Sequence, residues 1–324
     1  MILSYPMRLA CLVAVSMGLL QIGFELALWL CAPVMLRVVR TLPLRQRERL
    51  LYAVQLLPLV LALAFTGLFA VPRYVSNETN FAPEGVGWVC LLLAAALVAW
   101  WTARVAGGVR MAVRTARFRR ACAGDEAVLS LSQETPVVLV GGARPRVALV
   151  GLLRPLIFIS RSLIEAGGLD APALEVVLDH ERSHAAQGDN WKLLSLHCVP
   201  RLNLRLLAGK TWMQLWQNAA EWAADEDAVG GNSARALLLA ETLVALARSN
   251  SAPGPQLACT NFVCEETELA LRVERLIDRS PERCAPLDYR LGLALGCVAL
   301  SGAVVIANFI SVLGEIPEQL LHLG

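Results

Sequence analysis

The sequence is short of charge. Asp, Glu, Lys and Arg make up only 17% of its 324 residues, where soluble domains carry roughly 25%, and mean hydropathy is +0.54. An ordinary soluble protein is excluded, and a membrane protein indicated. Lysine is nearly missing: Lys192 and Lys210 are the only two, and arginine supplies the rest of the basic charge. No basic patch is interleaved with aromatics, which argues against direct nucleic-acid binding. There is no C-x-x-C pair among the nine cysteines. Cys11, Cys31, Cys90 and Cys297 fall in apolar segments as small packing residues, and Cys259 and Cys264 have four residues between them. That is neither a zinc ribbon nor a disulfide framework, so the thiols read as reduced and cytosolic. The first apolar stretch also lacks a small-residue cleavage site, and Leu28, Trp29 and Leu30 are too bulky for lipoprotein processing at Cys31, so it is not a signal peptide.

What the chain does have is long apolar runs. Residues 9–36, 50–71, 86–106 and 291–313 each reach the length of about 20 residues that a bilayer requires. Gln21 and Glu25 share one face of the first run and must look into a helix bundle, as a relay or as interhelical glue. Arginine clusters between the first two runs, from Arg37 to Arg49, and again from Arg104 to Arg120, whereas the loop between the second and third runs has only Arg73. By the positive-inside rule both termini lie outside and the domain between the third and fourth runs is cytoplasmic. The expected organisation is three spans in residues 1–106, a cytoplasmic domain in 107–290, and a fourth span with a short outer tail in 291–324.

Within the cytoplasmic part, residues 127–131, 136–140, 147–150 and 156–160 read as strands, and helical periodicity begins at Leu163. The expected class is α+β, with the helix that follows packed on the sheet. An edge strand can hold a peptide in extended form, or the sheet can simply buttress the helix.

The chemistry sits in residues 174–191, LEVVLDHERSHAAQGDNW, which contain His180-Glu181-Arg182-Ser183-His184, the spacing H-E-x-x-H. Asp170 as N-cap, Pro172 in the first turn, an apolar stripe of Leu174, Val177 and Leu178, and Gly188 as a stop place it on a helix. Residues four apart share a face there, so His180 and His184 can present two imidazole nitrogens to one Zn²⁺. In zinc peptidases with this spacing the adjacent glutamate, here Glu181, moves protons between the attacking water and the leaving amine. Two histidines on an ordinary helix would give the same spacing. A third ligand is needed, and the helix-like residues 212–229 offer Glu221 and Asp225 on one face. One can ligate while the other hydrogen-bonds a ligand histidine, unless the cluster is only a solvated acidic face.

These residues carry a family resemblance. The chain resembles the membrane metallopeptidases of the BlaR/MecR type, the antirepressor family of β-lactam-resistance signalling. The likeness rests on three spans, a strand-rich segment, Leu153 to Ser160 leading to the motif helix, His180-Glu181-Arg182-Ser183-His184, Gly188-Asp189-Asn190, Glu221 four before Asp225, and a fourth span. It implies a gluzincin-like α+β zinc peptidase domain inserted in a four-helix transmembrane region. His180, His184 and Glu221 would be the zinc ligands, Glu181 the catalytic base, Asp225 a supporting acid, and Asp189 a cap for the next helix or an anchor for the turn. The sensor members continue into a penicillin-binding domain, whereas ten or so residues follow the fourth run here, so β-lactam binding is not expected of this chain. The implied protein is a bacterial inner-membrane endopeptidase with a cytoplasmic active site. Its partners would be the lipid bilayer and a protein substrate, either a small DNA-binding repressor or the enzyme itself. A quality-control protease similar to HtpX is the alternative, and a metal-free signalling scaffold the alternative from a different class. Residues 249–264, rich in Ser, Pro and Gly at their start, read as a surface loop. The resemblance puts a regulatory self-cleavage near Asn261-Phe262, where an inert connector is the competing reading.

Overall fold

The computed structural model describes residues 2–77, 84–122, 127–129, 135–141, 147–165, 169–202, 204–206, 209–249, 259–261 and 266–278. The expected fourth span and Phe262 lie outside the described residues. In chain order the elements are β1 Ile2–Leu3, α1 Tyr5–Arg40, α2 Leu44–Phe65, a π-helical turn Thr66–Ala70 leading into α3 Val71–Asn77, β2 Glu84–Gly85 and α4 Trp88–Cys122. Then come β3 Ala127–Leu129, β4 Val137–Val140, β5 Val147–Val150, β6 Leu156–Ser160, α5 Arg161–Glu165, α6 Ala171–Gln187, α7 Asp189–Cys198, α8 Trp212–Val229, α9 Ser233–Ser249, β7 Cys259–Asn261 and α10 Glu266–Ile277.

Three helical stretches are long and apolar enough to cross a membrane: Tyr5–Arg40, Leu44–Ser76 and Trp88–Ala121. Each outruns the apolar run that announced it, because composition marks only the stretch facing lipid while the helix continues wherever nothing breaks it. With 35 residues at about 1.5 Å each, α4 is far longer than a hydrocarbon core of about 30 Å. The position between residues 106 and 107 therefore lies inside a continuous helix. At Gly108 on that helix α7 approaches closely; a Cβ there would collide with Cys198 Sγ.

The larger sheet has the order β3-β4-β6-β5-β7, with β4 and β6 parallel and every other pair antiparallel. β7 corrects the loop reading of residues 249–264: Cys259–Asn261 is an edge strand on β5. A strand this short shows no alternation, and what organises it is the row of backbone groups that β5 would otherwise leave unpaired.

Two apolar cores result. One buries α6 between the sheet and helices α9 and α10, through Ile157, Ile159, Val176, Val177, Leu239 and Leu243. The other joins the membrane-capable helices to the later ones, packing Met35 of α1 and Leu51 and Val54 of α2 against Leu196 of α7 and Trp216 and Ala219 of α8. The hydrogen bonds of Gln21 and Glu25 run to the connection after α7. Gln21 donates to the Pro200 carbonyl, and Glu25 Oε2 accepts from the Leu202 amide at 2.7 Å, so the pair holds the non-helical connection between α7 and α8.

Candidate metal centre

The motif helix α6 is delimited as its sequence dictates. Asp170 Oδ1 accepts from the Ala173 amide at 2.9 Å, Pro172 opens the first turn, and Gly188 ends the helix at φ 67° in the left-handed region. Its inward face carries His180, Glu181 and His184, all at 1% exposure or less. Helix α8 starts with a capping box between Thr211 and Gln214 and crosses α6, bringing in Glu221 and Asp225.

The Nε2 atoms of His180 and His184 are 3.1 Å apart. Glu221 Oε2 lies 3.4 Å from the first and Glu221 Oε1 3.5 Å from the second. A tetrahedral ion with ligands at 2.0–2.1 Å keeps its donor atoms about 3.3 Å apart, so three corners of that figure are already formed. The donor set of two imidazoles and a carboxylate, converging within 4.8 Å and buried, fits a metal ion.

Each histidine is held from behind. Asp189 Oδ2 sits 2.7 Å from His184 Nδ1, and Asp225 Oδ1 sits 3.0 Å from His180 Nδ1. A carboxylate at Nδ1 keeps the proton there and leaves the Nε2 lone pair free for a metal. Asp189 therefore takes a role other than a cap; the N-cap of α7 is Gly188. Of the two acids on α8, Glu221 faces the Nε2 atoms and Asp225 the ring behind.

Compared with known proteins, the chain matches no family model and no curated relative.

The electrostatics separate the acids. Glu181 is fully buried, and burial raises its pKa above the usual carboxylate value against the pull of both histidines. The Leu149 backbone of β5 is close enough to lower it slightly, yet neither oxygen meets hydrogen-bond geometry with any partner among the described residues. Burial would raise Glu221 and Asp225 too, but Arg272 of α10 reverses that. Its Nη1 is 2.9 Å from Glu221 Oε2, and its Nε and Nη2 reach both oxygens of Asp225 at 2.8 and 2.6 Å. Burial disfavours charge on His184, but Glu221 and Asp189 outweigh it and raise its pKa to about 10; His180 is raised against its burial by Asp225 and Glu221.

Sequence reasoning missed Arg272, although a signal existed: it occupies the stripe of Leu269, Val273 and Leu276 on an amphipathic helix, where a charge needs a buried partner. It also missed how β5 approaches the centre. Asn190 Nδ2 donates to the carbonyls of Leu149 and Gly151, each at 3.0 Å, which fastens the strand beside the motif helix. Asn261 ends β7, in register with Ala148, next to the Leu149 and Thr260 pair.

Proposed function

We propose that the chain is a membrane-embedded zinc endopeptidase of gluzincin type, similar to the BlaR/MecR antirepressor peptidases, with its active site on the cytoplasmic side. The observation that carries this reading is the convergence of His180, His184 and Glu221 beside a buried Glu181 whose carboxylate is unpaired. An idle structural carboxylate at that depth would be costly, whereas a general base needs both the raised pKa and the open oxygens. The metal, when bound, polarises the scissile carbonyl and acidifies water.

The chain's own groups do the rest. Glu181 accepts the proton of the attacking water and hands it to the leaving nitrogen, a transfer helped by a pKa displaced toward neutrality. Asp189 and Asp225 keep both imidazoles oriented, and Arg272 holds Glu221 in place. The β5 edge beside Glu181 is held by three residues of this same chain, β7, in the extended form that strand addition gives a peptide, and a substrate in trans would take that edge in place of β7. That placement favours a substrate with an unstructured segment, including the chain itself near Asn261-Phe262, and a small repressor in trans. A housekeeping role similar to that of HtpX would use the same chemistry without a dedicated repressor.

The test pairs two variants in purified, detergent-solubilised protein. Glu181→Ala should keep stoichiometric zinc and lower cleavage of an unfolded protein substrate by about 10²–10⁴-fold, the scale of a lost general base. Glu221→Ala should lose zinc and activity together. Zinc retained in Glu221→Ala, or lost in Glu181→Ala, would reverse the assignment of the two acids and sink the reading.

A further inference from the structure

Helix α2 carries a carboxylate that the chemistry above does not use. Glu48 lies one turn inside this membrane-capable helix, on the buried stripe of Leu44, Leu51 and Gln55, and has no exposed surface. Its Oε1 accepts from Lys192 Nζ of α7 at 2.8 Å and from Trp216 Nε1 of α8 at 3.0 Å. The same ammonium donates to Asp189 Oδ1 at 2.9 Å, and the other oxygen of Asp189 meets His184 Nδ1 at 2.7 Å. An unbroken polar line thus runs from α2 through α7 to a ligand ring on α6. A second tie lies nearby: Arg45 at the start of α2 binds Ser183 of the motif and Asp227 of α8.

We propose that Glu48 is a positioning residue for the metal centre: by neutralising Lys192, it leaves the charge of Asp189 directed at His184, and it makes the second membrane-capable helix part of the site. The inference rests on the metal-centre reading above. Its physical basis is competition for one carboxylate. Asp189 is shared between an ammonium and an imidazole, and the more of its charge the ammonium takes, the weaker a donor His184 becomes. Glu48 provides Lys192 with a second anion in a site where a buried charge is poorly screened. The Trp216 contact adds a fixed position, because it ties Glu48 to the helix that also bears Glu221. A simple anchor between α2 and α7 would need the ion pair but not its continuation into Asp189.

The experiment measures zinc affinity by competition with a chromophoric chelator in full-length, detergent-solubilised protein, with the visible spectrum of the Co²⁺-substituted form as a probe of geometry. Glu48→Gln keeps the shape and the acceptor for Trp216 but removes the charge; affinity should fall about tenfold, at the low end of the range for outer-shell partners, with a changed Co²⁺ spectrum. The double variant Glu48→Gln with Lys192→Met removes anion and cation together and should recover the affinity and the spectrum. Wild-type affinity in Glu48→Gln overturns the proposal, as does a double variant no better than the single one, since that is how a packing defect would behave. If the wild type itself binds no zinc, the metal-centre reading falls and this inference with it. If the affinities follow the expected order but no peptide is cleaved, only the peptidase reading fails.

Discussion

At the metal centre Asp189, Glu221 and Asp225 each face both a histidine and a lysine or arginine, whereas Glu181 has no lysine or arginine ion pair and forms no hydrogen bond among the described residues. The division separates one acid from the other three, because partners pull three pKa values down while burial pushes the fourth up; on the proposed peptidase reading that fourth acid is the base. It also sets the pH response of the metal-free protein. Both histidines are raised on folding, so their stabilisation is complete below the unfolded value of 6.5 and is lost as pH rises through the folded values, about 10 for His184. The three lowered carboxylates stabilise above their unfolded values of 3.8 and 4.5, and that contribution is lost as pH falls through the folded ones. The joint contribution of these five groups to the metal-free protein is therefore greatest between 4.5 and 6.5. Metal competes with the imidazole protons, so its stabilising effect grows with pH. Thermal unfolding with excess chelator should give a higher midpoint near pH ~5.5 than near ~8.5, and saturating zinc should reverse the order. Equal chelator curves at both values would contradict the histidine environment described.

Among the elements, α10 is bound to the site by one side chain. Arg272, at 1% exposure, is the cation for two buried carboxylates on α8, while Arg275 one turn on stacks over the Trp222 ring at 5.4 Å. Breaking a buried ion pair by removing one member costs about 3–5 kcal/mol, because the anions left behind keep their desolvation. Arg272→Met should lower the stability of the metal-free protein by that amount, and by less with zinc bound, when the ion supplies charge to Glu221. Arg275→Met should cost only about 1 kcal/mol, the scale of a half-buried cation–π contact. Denaturant titrations of the two variants provide the comparison, and hydrogen exchange should report α10 opening in the first variant only. Similar losses in both would mean that α10 docks through its apolar stripe alone.

On the scale of the molecule, the membrane-capable helices share a core with the helices of the candidate metal centre. Leu51 and Val54 of α2 pack against Trp216 and Leu196. Met111 on the far half of α4 packs on Leu194 of α7. The site is thus built on the helices that would sit in lipid, and its side of the membrane follows from theirs. Arginine asymmetry predicts that a reporter fused after Arg120 reads cytoplasmic and one after Gly324 reads outside. Alkaline phosphatase and fluorescent-protein fusions at both points check this; a cytoplasmic signal at Gly324 would remove the span expected at residues 291–313.

Local signals made part of this protein legible in its sequence. Three apolar helices follow from composition summed over long runs, the limits of α6 and α8 from caps and a glycine stop, and the facing of His180 and His184 from helical periodicity alone. Strands β5 and β6 were legible because short β-branched runs lie between turn residues. Tertiary structure decided the rest. Glu221 and Asp225 are equivalent by periodicity, and only the crossing of α8 over α6 gives one to the Nε2 atoms and the other to the ring behind. Glu48 lies 144 residues from Lys192 and 168 from Trp216, and no local pattern relates groups so distant. Whether a buried charge is a defect or a component depends on which charge stands opposite it, and packing alone determines that.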